Sequence, residues 1–239
     1  MDKIQPWELF CFDEVTSTND KAKELCREGG HFYVVSARKQ TKGRGRRGHH
    51  WVSQEGNLFC SLAFEFSLQD LGAIVLLTSL SLLQTITSYD QNAEVTLKWP
   101  NDVLLNKAKI SGILIEKAEQ DYWIIGIGVN IKQAPELTDC TYKATSLMDH
   151  EIDTSAPIFL QKFLHTFTKN IDMWHTAGFA SVKNSWLSHA PDLGRTIKVR
   201  LENQNVEGVF TDIDNNGFLL LKTNTGVITI TAGEIFTDR

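Results

Sequence analysis

A short basic segment near the N-terminus holds the residues whose types and spacing best suit chemistry. Residues 38–47 contain six of the 24 lysines and arginines, although the formal net charge of all 239 residues is -5. In residues 41–51, TKGRGRRGHHW, the cations alternate with Gly43, Gly45 and Gly48. Arginine can bind carboxylate and phosphate oxygens through two parallel hydrogen bonds, and glycine lets the backbone come close to a ligand. The segment therefore suits the binding of a small, dense anion.

Three other interpretations of this segment stay open from the residues alone. A run of charge often forms a solvated surface, and clustered cations also bind nucleic acid. The sequence pI of about 5.8 argues against nucleic acid, and no second basic stripe occurs along the chain. The glycines match G-x-G-x-x-G, but a dinucleotide-binding loop requires a helix to begin there. Here the strand-like residues 58–66 follow instead.

The length and composition predict a soluble chain with one sizeable domain and one small one. The sequence is 42% hydrophobic and 22% charged, which is typical of globular proteins. Its four cysteines, Cys11, Cys26, Cys60 and Cys140, are far apart and form no CxxC pair. This pattern indicates a reducing, cytoplasmic compartment rather than a disulfide framework or a structural zinc site. The first 14 residues contain no apolar signal core.

Residues 71–89 carry no charge and are the one stretch to weigh as a membrane span. They contain seven serine, threonine and glutamine side chains, whereas a span needs about 20 predominantly apolar residues. The stretch is therefore predicted to be a buried helix of a protein that does not enter a membrane.

The hydrophobic periodicity predicts a mixed order of strands and helices followed by a region of strands. Strands are predicted at 4–12, 32–37, 58–66, 94–99, 101–105, 110–116 and 122–131, the last one central in the sheet. Helices are predicted at 20–30, 71–88, 155–175 and 179–188. Lys107 to Lys109 read as a turn, and Gly29 with Gly30 as a helix end. Beyond Arg195, the four segments TIKVRLE, VEGVFTDI, GFLLLKT and GVITIT predict a small β domain of about 45 residues.

The chain resembles the biotin–protein ligases in four segments: STN at 17–19, QTKGRGRRGHHW at 40–51, KWPND at 98–102 with KISGILIE at 109–116, and GIGVNI at 126–131. The resemblance implies an α+β catalytic domain at 1–190, with a mixed β-sheet and packed helices like those of class II aminoacyl-tRNA synthetases. It also implies a small C-terminal SH3-like β-barrel at 191–239. Only about 15 residues precede the STN segment, so the resemblance is to the monofunctional type without an N-terminal DNA-binding domain. No nucleic-acid partner is then expected.

This resemblance implies a ligase that joins the carboxylate of biotin to AMP from ATP and releases pyrophosphate. It would then transfer biotin to one lysine of a biotin carboxyl carrier protein, and it would act as a monomer or a homodimer. Mg²⁺ is implied by the polyphosphate, with no ligands predicted. The nearest alternative is a lipoate–protein ligase of the same superfamily, whose glycine motif is absent here. A non-catalytic nucleic-acid module is the alternative from another class.

The resemblance also implies a role for particular residues. The catalytic residues would be Lys109, Arg46 and Asp102. Biotin would be bound by Ser17, Thr18, Asn19, Gln40, Arg44, Gly45, Arg46, Lys109, Gly112 and Gly128, and the nucleotide by Gly43, Trp51, Asn101 and Asn130. Taken singly, several of these residues have a structural explanation: Ser17 and Thr18 as helix caps, Lys109 as an exposed turn lysine, and the glycines as strand bulges.

Two departures from the family pattern and one physical argument complete the sequence-based expectations. His49 and His50 stand where many relatives carry basic residues, and residues 144–147 lack the tryptophan on which some relatives stack adenine. The closely spaced cations repel one another, and fixing glycines costs conformational entropy. Residues 42–50 are therefore predicted to be mobile without ligand and ordered by biotin or its adenylate.

Overall fold

The computed structural model describes residues 3–4, 6–26, 32–66, 70–118, 122–136 and 143–236, and these residues form two β-sheets and four α-helices. The first sheet comprises β1 Lys3–Ile4, β2 Trp7–Val15, β3 Phe32–Gln40, β4 Leu58–Glu65, β5 Val95–Lys98, β6 Asp102–Leu105, β7 Ala108–Lys117 and β8 Tyr122–Val129. Their order in space is β1-β2-β3-β4-β8-β7-β6-β5. Strands β2 and β3 pair in parallel, and the other neighbours pair antiparallel. The sheet is therefore mixed, as predicted.

Two faces of this sheet are covered by helices of different character. The helices are α1 Thr18–Cys26, α2 Leu71–Thr87, α3 Ala156–Ala177 and α4 Phe179–Leu187. Helices α2, α3 and α4 pack together on one face, where the main hydrophobic core lies, and α1 covers a smaller cluster on the other face. The first residues of α1, Thr18 and Asn19, are buried against β4, where both contact Ser61.

The uncharged helix α2 lies inside the protein. Twelve of its 17 residues are buried, and its buried hydroxyl groups donate to carbonyls one turn back, as Thr78 does to Ile74 and Ser81 to Leu77. Trp186 Nε1 also donates to Ser79 Oγ at 2.9 Å. Within the described part of the chain, no helix is long and apolar enough to cross a membrane.

The second sheet follows the helices and is entirely antiparallel. It comprises β9 Thr196–Arg200, β10 Asn205–Ile213, β11 Leu219–Thr223, β12 Gly226–Ile230 and β13 Glu234–Phe236, in the order β12-β11-β10-β9-β13. Its buried residues, including Phe210 and Leu219, belong to the same hydrophobic cluster as the first sheet. Trp99 Nε1 donates to the Gly217 carbonyl oxygen at 3.1 Å. The two sheets therefore share a core rather than being joined only by a linker.

The predicted α+β fold with a small C-terminal β domain is confirmed, and three local predictions need correction. Lys109 lies in strand β7 and not in a turn, because the turn is completed by Asn106 and Lys107, both at positive φ. Helix α1 begins at Thr18, two residues earlier than predicted. Strand β13 was not predicted, because three residues are too few to show an alternating pattern. The predicted helix end at Gly29 and Gly30, like Cys140, lies outside the described residues.

Candidate active site

A cavity of about 290 Å³ lies where the start of α1, the basic segment, strands β5 to β8 and the C-terminal sheet meet. Of the predicted site residues, all except Gly43 line it. Gly43 is buried behind the cavity wall, where its carbonyl oxygen accepts from the Trp51 backbone N–H at 3.0 Å. An added methyl at Gly43 would overlap the Trp51 carbonyl oxygen. The fold thus gathers residues from positions 17 to 130 into one site.

The start of α1 forms one end of the cavity. Ser17, Thr18 and Asn19 are each 3% exposed. Gln40 Oε1 accepts from the backbone N–H and the hydroxyl of Thr18 at 2.9 and 3.1 Å. Ser61 Oγ, on β4, lies 2.7 Å from Thr18 Oγ1 and 2.6 Å from Asn19 Oδ1. These bonds fix the polar groups in position before a ligand arrives, and Ser61 was not identified from the sequence.

The glycines of β7 and β8 make room for side chains that line the cavity. A methyl added at Gly126 would overlap the Asn19 amide, and one added at Gly128 would overlap the Trp51 indole. At Gly112 it would lie 3.0 Å from the same indole. Asn19 and Trp51 therefore fill the space above these glycines, and the binding of biotin by Gly112 and Gly128 stays a prediction.

Unsatisfied polar atoms mark where the cavity is suited to a polar ligand. Among the described residues, four buried side-chain atoms lack a hydrogen-bond partner, and three of them belong to residues that line the cavity. Two are donors, Asn19 Nδ2 and Trp51 Nε1, and one is an acceptor, Asn130 Oδ1. Buried polar groups normally have partners. The cavity therefore offers donors and acceptors that a bound molecule can satisfy.

The charged centre of the cavity is an ion pair between two predicted catalytic residues. Lys109 Nζ lies 2.6 Å from Asp102 Oδ1, and both side chains are partly shielded from solvent. Lys109 Nζ also lies 5.9 Å from the centre of the Trp51 ring. The backbone of Lys109 is fixed by hydrogen bonds to Lys143 and Thr145. This ammonium group is therefore held in place by a strand, where a turn would leave it free to move.

Arg46 extends the positive charge toward the C-terminal sheet. Its Nη1 donates to Asn101 Oδ1 at 3.2 Å and to the Gly233 carbonyl oxygen at 3.3 Å. Burial lowers the pKa of the Arg46 guanidinium, and the charge of Arg47 acts in the same direction. Arg47, at φ 53°, donates to the Arg200 carbonyl oxygen at 3.0 Å. The basic segment thus bridges the two sheets.

Sequence reasoning missed three charged residues that line the cavity outside the basic segment. Lys98 is only 4% exposed, and burial lowers the pKa of its ammonium group. Its place at the start of KWPND was a usable signal. Arg200 and Glu234 also line the cavity, with Arg200 Nη1 lying 3.8 Å from Glu234 Oε2. No local pattern marks these two, because their position depends on how the C-terminal sheet docks.

Acidic side chains from distant segments neutralise much of the basic segment. Arg38 pairs with Glu55, Lys39 Nζ lies 2.9 Å from Glu14, and Arg44 contacts two carboxylates. These acidic partners reduce the repulsion among the cations that was expected to make residues 42–50 mobile in the empty protein. The ordering of residues 42–50 by ligand stays a prediction.

Across the ranges that the structure describes, no group of three or more His, Cys, Asp or Glu side chains is placed to hold a metal ion.

Comparison with known proteins gives a consistent result along the chain. Residues 9–130 match the Biotin/lipoate A/B protein ligase family, and residues 192–237 match the Biotin protein ligase C terminal domain. The chain is 33% identical over 235 residues to a biotin–[acetyl-CoA-carboxylase] ligase of Paracoccus denitrificans, covering 92% of this chain and 96% of that protein.

Two solved structures resemble the whole architecture. The biotin protein ligase of Aquifex aeolicus in complex with biotin and ATP superposes with a TM-score of 0.84 at 30% identity, covering 95% of this chain and 97% of that one. The biotin protein ligase of Leishmania major in complex with biotinyl-5-AMP gives a TM-score of 0.67 at 25% identity, covering 94% of this chain and 99% of that one.

Proposed function

This chain belongs to the biotin protein ligase family, and from that premise we propose that the basic cavity is where biotin is both activated and transferred. The enzyme is a biotin–[acetyl-CoA-carboxylase] ligase that uses ATP and forms biotinyl-AMP. The observation that supports the placement is the meeting of a preorganised polar end, residues 17–19, with the cations Arg46 and Lys109 in one cavity. A small molecule with a neutral polar ring and a carboxylate matches these two ends.

In the first step, a carboxylate oxygen of biotin attacks the α-phosphorus of ATP, and the bond to pyrophosphate breaks. The reacting groups are both anionic and repel each other, so fixed cations lower the barrier by stabilising the developing charge. Lys109 and Arg46 are placed for this role because each is held by the protein through Asp102 or through Asn101. Asn130 and Trp51, each with an unsatisfied atom, would contact the nucleotide.

In the second step, the amine of a carrier lysine attacks the acyl carbon of biotinyl-AMP, and AMP leaves. Free lysine is almost wholly protonated at neutral pH, so the amine must first lose a proton. Asp102 would pair with the incoming ammonium and help to remove this proton. In the structure Asp102 is occupied by Lys109. The phosphate of the adenylate would draw Lys109 away, so that Asp102 becomes available only once the intermediate has formed.

The finer assignments follow from the same arrangement. The acceptor would be a lysine of a biotin carboxyl carrier domain, since the Paracoccus relative is named for acetyl-CoA carboxylase. ATP would bind as its Mg²⁺ complex, with the metal held through phosphate oxygens. The proposed division into a catalytic domain, 1–190, and a C-terminal domain, 191–239, is supported by the second family match, which begins at residue 192.

ATP–pyrophosphate exchange tests the proposed function. We expect exchange that depends on biotin, followed by transfer of biotin from the enzyme to an isolated carrier domain. Lipoate is the matched control substrate, because it also presents a carboxylate on an aliphatic chain. Exchange that lipoate supports and biotin does not would contradict the assignment.

A further inference from the structure

Arg44 belongs to the basic segment, but its guanidinium is already engaged by two carboxylates. Its Nη1 and Nη2 donate to the two oxygens of Asp20 at 2.8 and 2.7 Å. Its Nε and Nη2 donate to Glu116 at 3.2 and 3.0 Å. Four of its five N–H groups therefore donate to a carboxylate, which leaves one N–H of Nη1 for any other acceptor.

The two carboxylates lie on elements that carry the cavity wall. Asp20 follows Asn19 in the first turn of α1, and Glu116 lies in β7, the strand of Lys109 and Gly112. Lys23, also on α1, donates to Glu116 at 2.8 Å. The backbone of Arg44 pairs with that of His50, so that residues 44–50 form a closed loop, the basic loop. Arg44 thus joins the basic loop to α1 and β7 at once.

The charges of this cluster favour the joined arrangement. The Arg44 guanidinium lowers the pKa of Asp20. Burial acts to raise the pKa of Glu116, but hydrogen bonds from Arg44 and Lys23 outweigh it, so this pKa also lies below its usual value. Both carboxylates therefore favour the ionised form that pairs with the guanidinium.

We propose that Asp20 and Glu116 are positioning residues that fasten the basic loop, through the Arg44 guanidinium, over the biotin end of the cavity. In this arrangement Arg44 acts on substrate binding through the loop and does not contact the substrate with its side chain. Gly45 and Arg46, which follow directly, are the groups that the fastened loop presents to the cavity. This inference rests on the proposed function of the site, since it concerns the binding of biotin there.

Removing the charges of Asp20 and Glu116 distinguishes this role from direct anion binding, because the two roles predict opposite changes in the KM for biotin. Asp20→Asn with Glu116→Gln keeps the shapes of both side chains and removes both charges. If the acids fasten the loop, the KM for biotin in the exchange assay rises, while kcat changes by less than about twofold. If Arg44 serves the substrate anion, the same variant frees its guanidinium, and the KM falls. We expect a rise of roughly three- to tenfold, because the cluster is bidentate but partly exposed.

A double-mutant cycle provides the second measurement. Arg44→Ala should raise the KM for biotin by a similar factor in the wild-type protein and by almost nothing in the Asp20→Asn/Glu116→Gln background. An equal further loss in both backgrounds, or a fall in the KM of the charge-neutral variant, would overturn the proposal.

Two controls separate the cluster from general effects. Glu24→Gln removes a comparable ion pair on the same helix, Lys21 Nζ to Glu24 at 2.7 Å, and should leave the KM unchanged. Glu116→Gln alone should reproduce part of the rise without altering the charge at the N-terminus of α1, where Asp20 also interacts with the helix dipole. The exchange activity of the wild-type enzyme is measured first. If the wild-type enzyme shows no biotin-dependent exchange, the proposed function fails; if it does, the variants test this inference separately.

Discussion

At the scale of single residues, we propose that the ion pair between Lys109 and Asp102 is central to the chemistry of the cavity. The backbone of Lys109 is held by hydrogen bonds to Lys143 and Thr145, and both side chains of the pair are only partly open to solvent. In such surroundings a fixed charge acts more strongly on a reacting group than it would in bulk water. The two members of the pair are expected to serve different half-reactions, and they can be tested separately.

Lys109→Gln should slow adenylate formation by about a hundred- to a thousandfold, because it removes a cation aimed at the developing charge. The matched control is Lys107→Gln, two residues away at an exposed turn position with φ 66°, which should be nearly neutral. Pyrophosphate release in single-turnover experiments measures both. Equal rates for the Lys109 and Lys107 variants would rule out the catalytic role.

Asp102→Asn should separate the two half-reactions. Adenylate formation should stay within about tenfold of wild type, whereas transfer to the carrier lysine should fall by roughly a hundred- to ten-thousandfold, the usual effect of losing a general base. The measurement follows the decay of preformed biotinyl-AMP on addition of the carrier domain. A loss of equal size in both steps would mean that Asp102 only positions Lys109.

At the scale of elements, two features shape the cavity. Strand β8 supports Trp51 through Gly128, and the basic loop lines the cavity. Gly128 lies directly beneath the indole, so the lack of a side chain at this position decides where the ring lies. The loop is anchored by contacts to α1, β7 and the C-terminal sheet. Both features depend on pairs of elements that are distant in sequence.

Gly128→Ala should destabilise the folded protein by about 1–3 kcal/mol, the usual result of overpacking a tight site. The destabilisation should be much smaller in a Trp51→Ala background, because the indole atoms that the added methyl overlaps are then absent. Thermal unfolding of the two single variants and the double variant gives the coupling energy. Strict additivity would show that Trp51 does not rest on Gly128.

Trypsin tests whether ligand orders residues 42–50. The segment is rich in trypsin cleavage sites. We expect biotin with ATP to slow its cleavage substantially, because a segment that is ordered over the ligand is less accessible to the protease. The same closure would shield the adenylate from water. The carboxylate partners found in the structure predict partial protection even in the empty enzyme. Identical cleavage rates with and without ligand would exclude a ligand-dependent closure.

At the scale of the whole molecule, the C-terminal sheet completes the cavity. It supplies Arg200, Gly233 and Glu234 to the lining, and it docks through the turn at Asn216 and Gly217 onto the start of α2. Because its apolar residues extend the main core, removing the whole domain would expose that core and confuse stability with function. A point change at the docking contact is the sharper test.

Gly72→Ala should push the C-terminal sheet away from α2, because the added methyl would overlap the Asn216 carbonyl oxygen. We expect a lower Tm together with a raised KM for ATP, since Arg46 would lose its contact with Gly233. Gly194→Ala is the control. Its methyl meets nothing within 4 Å, so this variant is destabilised only by the backbone strain of alanine at φ 76°. If Gly72→Ala affects the KM no more than Gly194→Ala does, the docking contact does not shape the site.

The sequence by itself determined the class of fold, the family and nearly half of the residues that line the cavity. Local signals sufficed for this, because α1, α2 and most strands are long enough to show their periodicity. The basic segment, KWPND and KISGILIE likewise keep the residue types that their chemistry requires. Of the predicted site residues, only Gly43 lies outside the lining.

The tertiary structure decided which charges meet. Nothing in the order of the residues links Arg44 to Glu116, 72 positions apart, or Arg46 to Gly233, 187 positions apart. Such pairs arise from sheet order and from the docking of one sheet on another, and those depend on the packing of the whole core. For the same reason Lys109, read locally as a turn lysine, becomes a fixed cation in β7 only when β6 and residues 143–145 pair with its strand.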